Sequence, residues 1–547
     1  GTFQSNLDSL AAGSPSSYAL SYSLDPTKPK PTAKFSVNQF GFYVQDTYRA
    51  MSNLNVTLGV RFDIPVLPDK PTANPTVAAT TFAGGRRIKT NEVPSGNLLF
   101  SPRLGWNWDV FGDNMTQVRG GLGVFSGRTP YVWISNQYGN TGIEFGRTTS
   151  NPGPRTFTPD VDNQPGKNFG SIPTSEIDAT DPDFKLPQVI RLNLGVDHTL
   201  PYGIVGTFDF LLSKNRNEIL YQDVNLAGVS GTVNFSNSGN SNGNLQRYTT
   251  TLTGTSTNKI QSAYSNVIYL SNTDNGYQYS MTFQLQKQFS EGSFGAFDKG
   301  YNASFAYTYG RAYDANSGTS SQAVSNWRFN PINGNPNAPP SATSNYEQRH
   351  RIISSITYDL EFLKNYTTSV SFVYLGYSGR PYSTTYSGDV NGDGQTSNDL
   401  IYVPVDQNDI NIVPTGSDTR TVAEIWAELD AYIKGDDALD KARGKFIKRN
   451  ASVEPWTNRV DFRFAQQIPV TDRYGKFELT WDVINLMNLF NKDFGKTKFV
   501  NNQDDTPITY RGIISGKPAF TFNSRKRFVT SDLGSRWQMQ LGIRYTF

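Results

Sequence analysis

Along most of the chain apolar and polar residues alternate one by one. Tyr277, Tyr279, Met281, Phe283 and Leu285 are interleaved with Gln278, Ser280, Thr282, Gln284 and Gln286. In an extended strand successive side chains point to opposite faces, so such a run has one greasy face and one wet face. The same alternation sets Val56, Leu58, Val60, Phe62 and Ile64 against Thr57, Gly59, Arg61 and Asp63. It also sets Phe477, Leu479, Trp481 and Val483 against Lys476, Glu478, Thr480 and Asp482. Further runs fall at 35–49, 98–109, 114–126, 188–199, 203–214, 262–271, 301–312, 349–360, 366–377, 457–468, 506–513, 518–529 and 537–547. The pattern predicts about sixteen strands, each near the length of roughly ten residues that a tilted strand needs to cross a bilayer.

The connections are of two kinds. Short ones surround Asn53, Phe111-Gly112-Asp113-Asn114 and Leu200-Pro201-Tyr202-Gly203, whereas long polar ones cover 65–97, 127–187, 225–261, 313–347 and 379–455. Long loops in such number are uncommon in soluble domains, but outer-membrane barrels pair short periplasmic turns with long extracellular loops. Residues 1–34, with Pro26, Pro29 and Pro31, read as loop. In the longest loop Thr421 and Glu424 form a capping box. Val422, Ile425, Trp426, Leu429, Tyr432 and Ile433 follow at helical spacing before Gly435, which predicts a helix packed on its own loops. The chain stops on an unbroken alternation of Trp537, Met539, Leu541, Ile543, Tyr545 and Phe547. A terminal Phe on such a strand resembles the signal read by bacterial outer-membrane assembly machinery.

Composition narrows the class. The 547 residues include 29 Tyr, 35 Phe and 48 Gly but no Cys, so disulfide frameworks and thiolate metal sites are excluded. Fifty basic and 47 acidic residues are spread along the chain, without the basic stripe that nucleic-acid binding requires. Mean hydropathy is −0.50, and no run approaches the ~20 apolar residues of a spanning helix. A membrane barrel stays open, because its alternating faces average out. Gly1-Thr2-Phe3-Gln4 has neither a basic nor an apolar leader region.

Several segments carry a family resemblance. Trp481-Asp482-Val483-Ile484-Asn485-Leu486-Met487-Asn488-Leu489-Phe490-Asn491 looks like the strand and Asn-rich turn near the end of TonB-dependent receptor barrels. Phe42-Tyr43-Val44-Gln45-Asp46-Thr47-Tyr48 with Leu58-Gly59-Val60-Arg61-Phe62-Asp63 is similar to their mid-barrel hairpin. Three further stretches resemble the Oar-like branch: Asn345-Tyr346-Glu347-Gln348-Arg349-His350-Arg351-Ile352; Asp389-Val390-Asn391-Gly392-Asp393-Gly394 running on to Asn398-Asp399-Leu400-Ile401-Tyr402-Val403-Pro404; and Arg449-Asn450-Ala451 before Pro455-Trp456. The resemblance implies an all-β, transmembrane antiparallel barrel of 22 strands, of which 1–547 would be the C-terminal portion. It also implies an upstream plug that engages TonB and takes up bulky ligands on the proton gradient of the inner membrane. Lipid, an unknown extracellular ligand and surface lipoprotein or envelope partners follow from the same resemblance. The strand ending at Phe547 is then expected not to pair with the strand at 35–49. A porin of about sixteen strands and a secreted adhesive β-protein are the other readings of the residues.

Within the 379–455 loop, Asp389, Asn391, Asp393 and Gly394 match the first positions of an EF-hand-like loop, in which oxygen ligands alternate and glycine permits the turn. Gln395 would offer its backbone carbonyl. The closing carboxylate comes one residue early, at Asp399. The expectation is a structural calcium ion, with a plain Asp/Asn/Gly turn as the alternative. His198 and His350 each stand alone on strand-like segments, so neither a zinc site nor a nucleophilic triad can be assembled, and no catalytic residue is expected. Gly120, Gly121 and Gly123 have no helix after them and are no phosphate loop; they are expected to relieve crowding on the inner face. Trp456 and Trp537 are expected in an interfacial aromatic girdle, while Trp106, Trp108, Tyr131 and Trp133 could serve there or in loop packing.

Overall fold

The computed structural model describes the chain apart from residues 1–7, 9–10, 26, 28–31, 128–129, 151–157, 161, 165–166, 168–173, 250–258, 290–297, 364, 417, 472–474 and 502–503. Pro26, Pro29 and Pro31 thus lie outside the described residues. One sheet of fourteen strands dominates, and thirteen of them lie side by side in the order in which they follow in the chain. They are β1 (Asn38–Met51), β2 (Leu54–Val66), β3 (Leu99–Asp109), β4 (Thr116–Ser126), β5 (Gln188–Leu200), β6 (Ile204–Arg216), β7 (Gly276–Phe289), β8 (Asp298–Asp314), β9 (His350–Leu363), β10 (Tyr366–Tyr377), β11 (Thr457–Thr471), β12 (Gly475–Ile484) and β13 (Gln538–Thr546). Every neighbouring pair is antiparallel. The two-residue strand Ala342–Thr343 adds to β8. No ladder joins β1 to β13 among the described residues.

Register explains why alternation persists. Leu58, Leu104, Leu122, Leu192 and Leu212 lie side by side across β2 to β6. Ile356, Phe372, Phe462, Val483 and Met539 do the same across β9 to β13. The opposite face aligns Gly59, Arg103, Gly123, Arg191 and Ser213. A slip of one residue would send every apolar side chain to the polar face. The apolar face is open: Leu58, Leu541 and Ile543 are 58%, 76% and 75% exposed, which in a membrane is contact with lipid. No described helix is long and apolar enough to cross a membrane.

Because the strands form a meander, short links fall at one end and long ones at the other. The β3–β4 turn is held by Asp109, which accepts from the amides of Gly112 (3.1 Å) and Asn114 (3.0 Å). Both have positive φ, 74° and 60°, a conformation that Gly and Asn tolerate. The long links 67–98, 127–187, 217–275, 315–349, 378–456 and 485–537 share the other end, which by the asymmetry of outer-membrane barrels is extracellular.

All sixteen strand segments read from the sequence contain strands, but three of them lie outside the wall. Tyr264–Thr273 pairs parallel with Ser175–Thr180 and antiparallel with Glu218–Asp223. Asp505–Ile514 and Lys517–Phe522 belong to a four-stranded sheet with Thr384–Ser387 and Asn411–Ile412. The physical difference is burial on both faces: Val267, Ile268 and Leu270 are all nearly inaccessible, as are Ala519, Phe520, Thr521 and Phe522. Such strands read as continuous apolar runs rather than clean alternation. The 1–34 segment also departs from the loop reading, because Tyr18–Ser23 pairs with Phe145–Ser150.

Candidate functional site

The extracellular links do not hang as separate loops. They pack into a layer with three apolar clusters of its own, the largest built on Ile401, Tyr402, Ile425, Ile433, Ile508 and Phe520. The helix Val422–Lys434, α1, forms where the capping box places it. Thr421 accepts from the Glu424 amide, and the Glu424 carboxylate accepts from the Thr421 amide at 2.7 Å. Its stripe of Ile425, Leu429 and Ile433 is buried in the cluster, with Trp426 and Tyr432 packed against it. Arg527 closes the other end, donating to the carbonyls of Tyr432 (2.6 Å) and Gly435 (2.7 Å), where a cation also suits the helix dipole.

The five residues proposed as cation ligands lie together beside this cluster, nearly all inaccessible. Asp389 accepts from the Gly392 and Gly394 amides at 2.7 and 2.9 Å. Asp393 accepts from the amide of Gln395 (2.8 Å) and the side chains of Asn391 (3.2 Å) and Asn398 (2.8 Å). Asp399 accepts from the amides of Val390 (2.7 Å) and Asn391 (3.3 Å). Burial pushes the Asp389 carboxyl up to about 7, with Asp393 adding repulsion and Arg247 offsetting part of it. Asp393 is also raised by burial, and Asp399 well above the carboxylate range by burial and by its two acidic neighbours. Asp399 Oδ1 and Asn398 Oδ1 are buried without a hydrogen-bond partner. Asn398 was not among the residues singled out from sequence, because it falls at no standard ligand position. Among the described residues no group of three or more His, Cys, Asp or Glu side chains converges at metal-binding spacing. The carboxylates are spent largely on backbone amides, so the loop has the charge and the orphaned oxygens for a cation but not a closed ligand shell.

The inner face of the wall carries its charges in pairs. Arg119 reaches Asp197 and, at 2.7 Å, Asp209; Arg61 meets Asp63 at 2.7 Å; Arg463 lies 3.3 Å from Asp482. Arg103 and Arg191 lie over the Phe125 ring. Each histidine is hydrogen-bonded within the wall, with Nδ1 of His198 at 2.8 Å from Thr116 Oγ1 and Nδ1 of His350 at 2.8 Å from Tyr307 OH. Of the three clustered glycines, Gly121 and Gly123 share the inner face, as expected. Gly120 pairs with Trp106, and the indole occupies the space a Cβ would need, so this glycine relieves crowding on the outer face instead. Trp456 and Trp537, 40% and 38% exposed, flank the extracellular ends of β11 and β13. Tyr131 and Trp133 pack in the loop layer.

One cavity of about 540 Å³ has no local signature in the sequence, because its lining comes from the end of β8, from 331–333 and 339–343, from Arg349, from Leu400, and from Phe446 and 448–451.

A wall with a lipid-facing side, a polar inner side and one thick extracellular end is a membrane barrel wall. The sequence matches the outer membrane beta barrel domain family over residues 1–518, and the chain belongs to that family. It is an outer-membrane protein. No curated protein matches it. Its structure is similar to the outer membrane transporter YddB from Escherichia coli, with TM-score 0.45 and 10% identity, covering 93% of this chain and 45% of that one. The siderophore receptor PirA from Acinetobacter baumannii gives TM-score 0.39 and 11% identity over 84% and 43% of the two chains. The FrpB iron transporter from Neisseria meningitidis gives 0.37 and 9% over 94% and 45%. The chain thus spans less than half the length of these structures.

Proposed function

We propose that this chain is the C-terminal wall and extracellular layer of a TonB-dependent receptor of the Oar-like type. In this reading it belongs to a 22-stranded barrel, binds its ligand through the packed loops, and is gated by an upstream plug that engages TonB. The observation that supports it best is the apolar-cored layer over one end of a polar-lined wall: three buried clusters in the links amount to a preformed surface for a bulky ligand or a surface lipoprotein. Bilayer conductance of the protein expressed from its complete reading frame tests this. A plugged receptor passes no steady current until the plug region is deleted, whereas steady ohmic current from the intact protein makes it a porin. Solubility without detergent would instead favour the adhesive reading.

We also propose that Asp389, Asn391, Asp393 and Asp399, with the Gln395 carbonyl, take one calcium ion at ~2.3–2.6 Å. The support is the shared burial of three carboxylates and the orphaned Asp399 Oδ1. Calcium should give a saturable heat by titration calorimetry and protect the 379–455 loop from protease, and Asp399→Asn should abolish both. The absence of any heat or protection in the wild-type protein would leave a turn without a metal.

A further inference from the structure

At the extracellular end of β7, β8 and β9 the outward face changes character. Met281 pairs with Tyr309, Tyr279 with Arg311 and Tyr277 with Tyr313, all on the same side as the lipid-facing Leu285 and Phe305. Tyr277 stacks on Tyr313 (4.8 Å), Tyr309 meets His350 (5.3 Å), and His350 lies 6.3 Å from Trp456. This is an aromatic belt, the arrangement that marks the boundary between hydrocarbon and headgroups.

Arg311 stands inside that belt, two residues and so roughly 7 Å above Tyr309. Its guanidinium lies 5.1 Å from the Tyr313 ring centroid, and its Nε donates to Glu347 at 2.8 Å. Glu347 is only 4% exposed and also accepts from Arg349 at 2.9 Å. The two guanidiniums are therefore held by one buried carboxylate. Both line the 540 Å³ cavity together with Lys448, which is exposed, and Arg449, which is tied to Asp314 at 2.5 Å. Four basic side chains against the carboxylates of Glu347 and Asp314 leave the cavity an excess of positive charge. A fixed, forked guanidinium matches a phosphate better than it matches water. At this depth the surrounding molecules are the headgroups of the outer leaflet.

We propose that the cavity bounded by Arg311, Tyr313, Arg349 and Lys448 binds the phosphate of an outer-leaflet glycolipid, whose acyl chains then lie along Tyr279, Met281 and Phe283. This requires only the membrane orientation of the wall and stands whether or not the protein is a receptor. The test is the phosphorylated glycolipid that stays bound, per protein, after extraction of the protein from outer membranes in mild detergent, with heat-modifiable gel mobility as the folding control. Arg311→Gln with Lys448→Gln should lower retention about tenfold, as the loss of charge-assisted contacts implies. Lys287→Gln, on the same outward face but at the opposite end, should leave it unchanged. If the double variant does not fold, Lys448→Gln alone, in an exposed loop, should still lower retention measurably. Equal retention in the folded variants, or an equal loss in Lys287→Gln, overturns the site. Release of the lipid by millimolar inorganic phosphate would show a free-anion site and overturn the lipid assignment.

Discussion

Phe520 and Leu541 are both large apolar residues in strands, yet the first is 1% exposed and the second 76%. The first belongs to the extracellular layer, the second to the wall. The layer is built as a water-soluble domain is, with side chains withdrawn into clusters and helices and strands covering one another. The wall has almost no buried apolar core. Its cohesion lies in an unbroken ladder of backbone hydrogen bonds, which lipid makes obligatory because no water is available to satisfy them. One chain thus solves two solvent problems by alternating between them six times, and the two solutions should fail independently.

The sharpest way to separate them is Trp327→Ala. Trp327 is 2% exposed, and its indole N–H donates to Asn337 at 3.0 Å. Its loss should cost the layer about 3–5 kcal/mol, opening the loops to limited proteolysis while the heat-modifiable mobility of the barrel stays unchanged. Loss of both together would mean that the wall depends on the layer.

The converse change is Leu541→Arg. Leu541 faces lipid next to Trp481, while Gln540 faces inward next to Asp482. Arginine at 541 should cost about 2–4 kcal/mol if the position lies near the bilayer midplane; at 540 it should be mild. Equal folding yields into liposomes would refute this facing, and altered loop proteolysis would break the separation.

A pH effect should be confined to the layer. Burial lifts the Asp223 carboxyl from 3.8 to about 6. Between those values the native layer holds a proton that the unfolded chain has released, so its stability falls as pH rises through that window and stays low above it. Protease resistance of the loops should therefore be higher near pH 4 than near pH 7, and Asp223→Asn should reduce that slope, leaving the part that the raised Asp389 carboxyl contributes in the same direction. An unchanged slope would place the titration elsewhere. The smallest effect is Thr421→Ala, which removes the α1 cap for about 1 kcal/mol and should be visible as faster amide exchange in the first turn of the helix alone.

The wall was legible because lipid on one side and a polar lumen on the other impose strict alternation, visible in any window of ten residues. Helix α1 was legible because its capping box is local. The layer was not. In 262–271 and 518–522 enough alternation survives to suggest wall strands, and only their pairing with 175–180, 384–387 and 411–412 reveals burial on both faces. Gly120 shows the same limit on a smaller scale: a three-glycine cluster is evident in the sequence, but the Trp106 ring that decides its face arrives through register. The 389–399 loop was recognised from spacing. The role of Asn398 and the turning of the carboxylates onto backbone amides depend on how the loop is buried.

The sequence by itself determined the strands, their facing and the membrane that they suit, because period-two patterning is a property of neighbours in the chain. Tertiary structure alone decided which strands join the wall, how the six long links fuse into one layer, and that Arg311, Arg349 and Lys448 share a cavity. In that cavity Arg311 and Lys448 stand 137 positions apart, and contacts at such separations leave no periodic trace because they are selected by packing rather than by the repeat of the backbone.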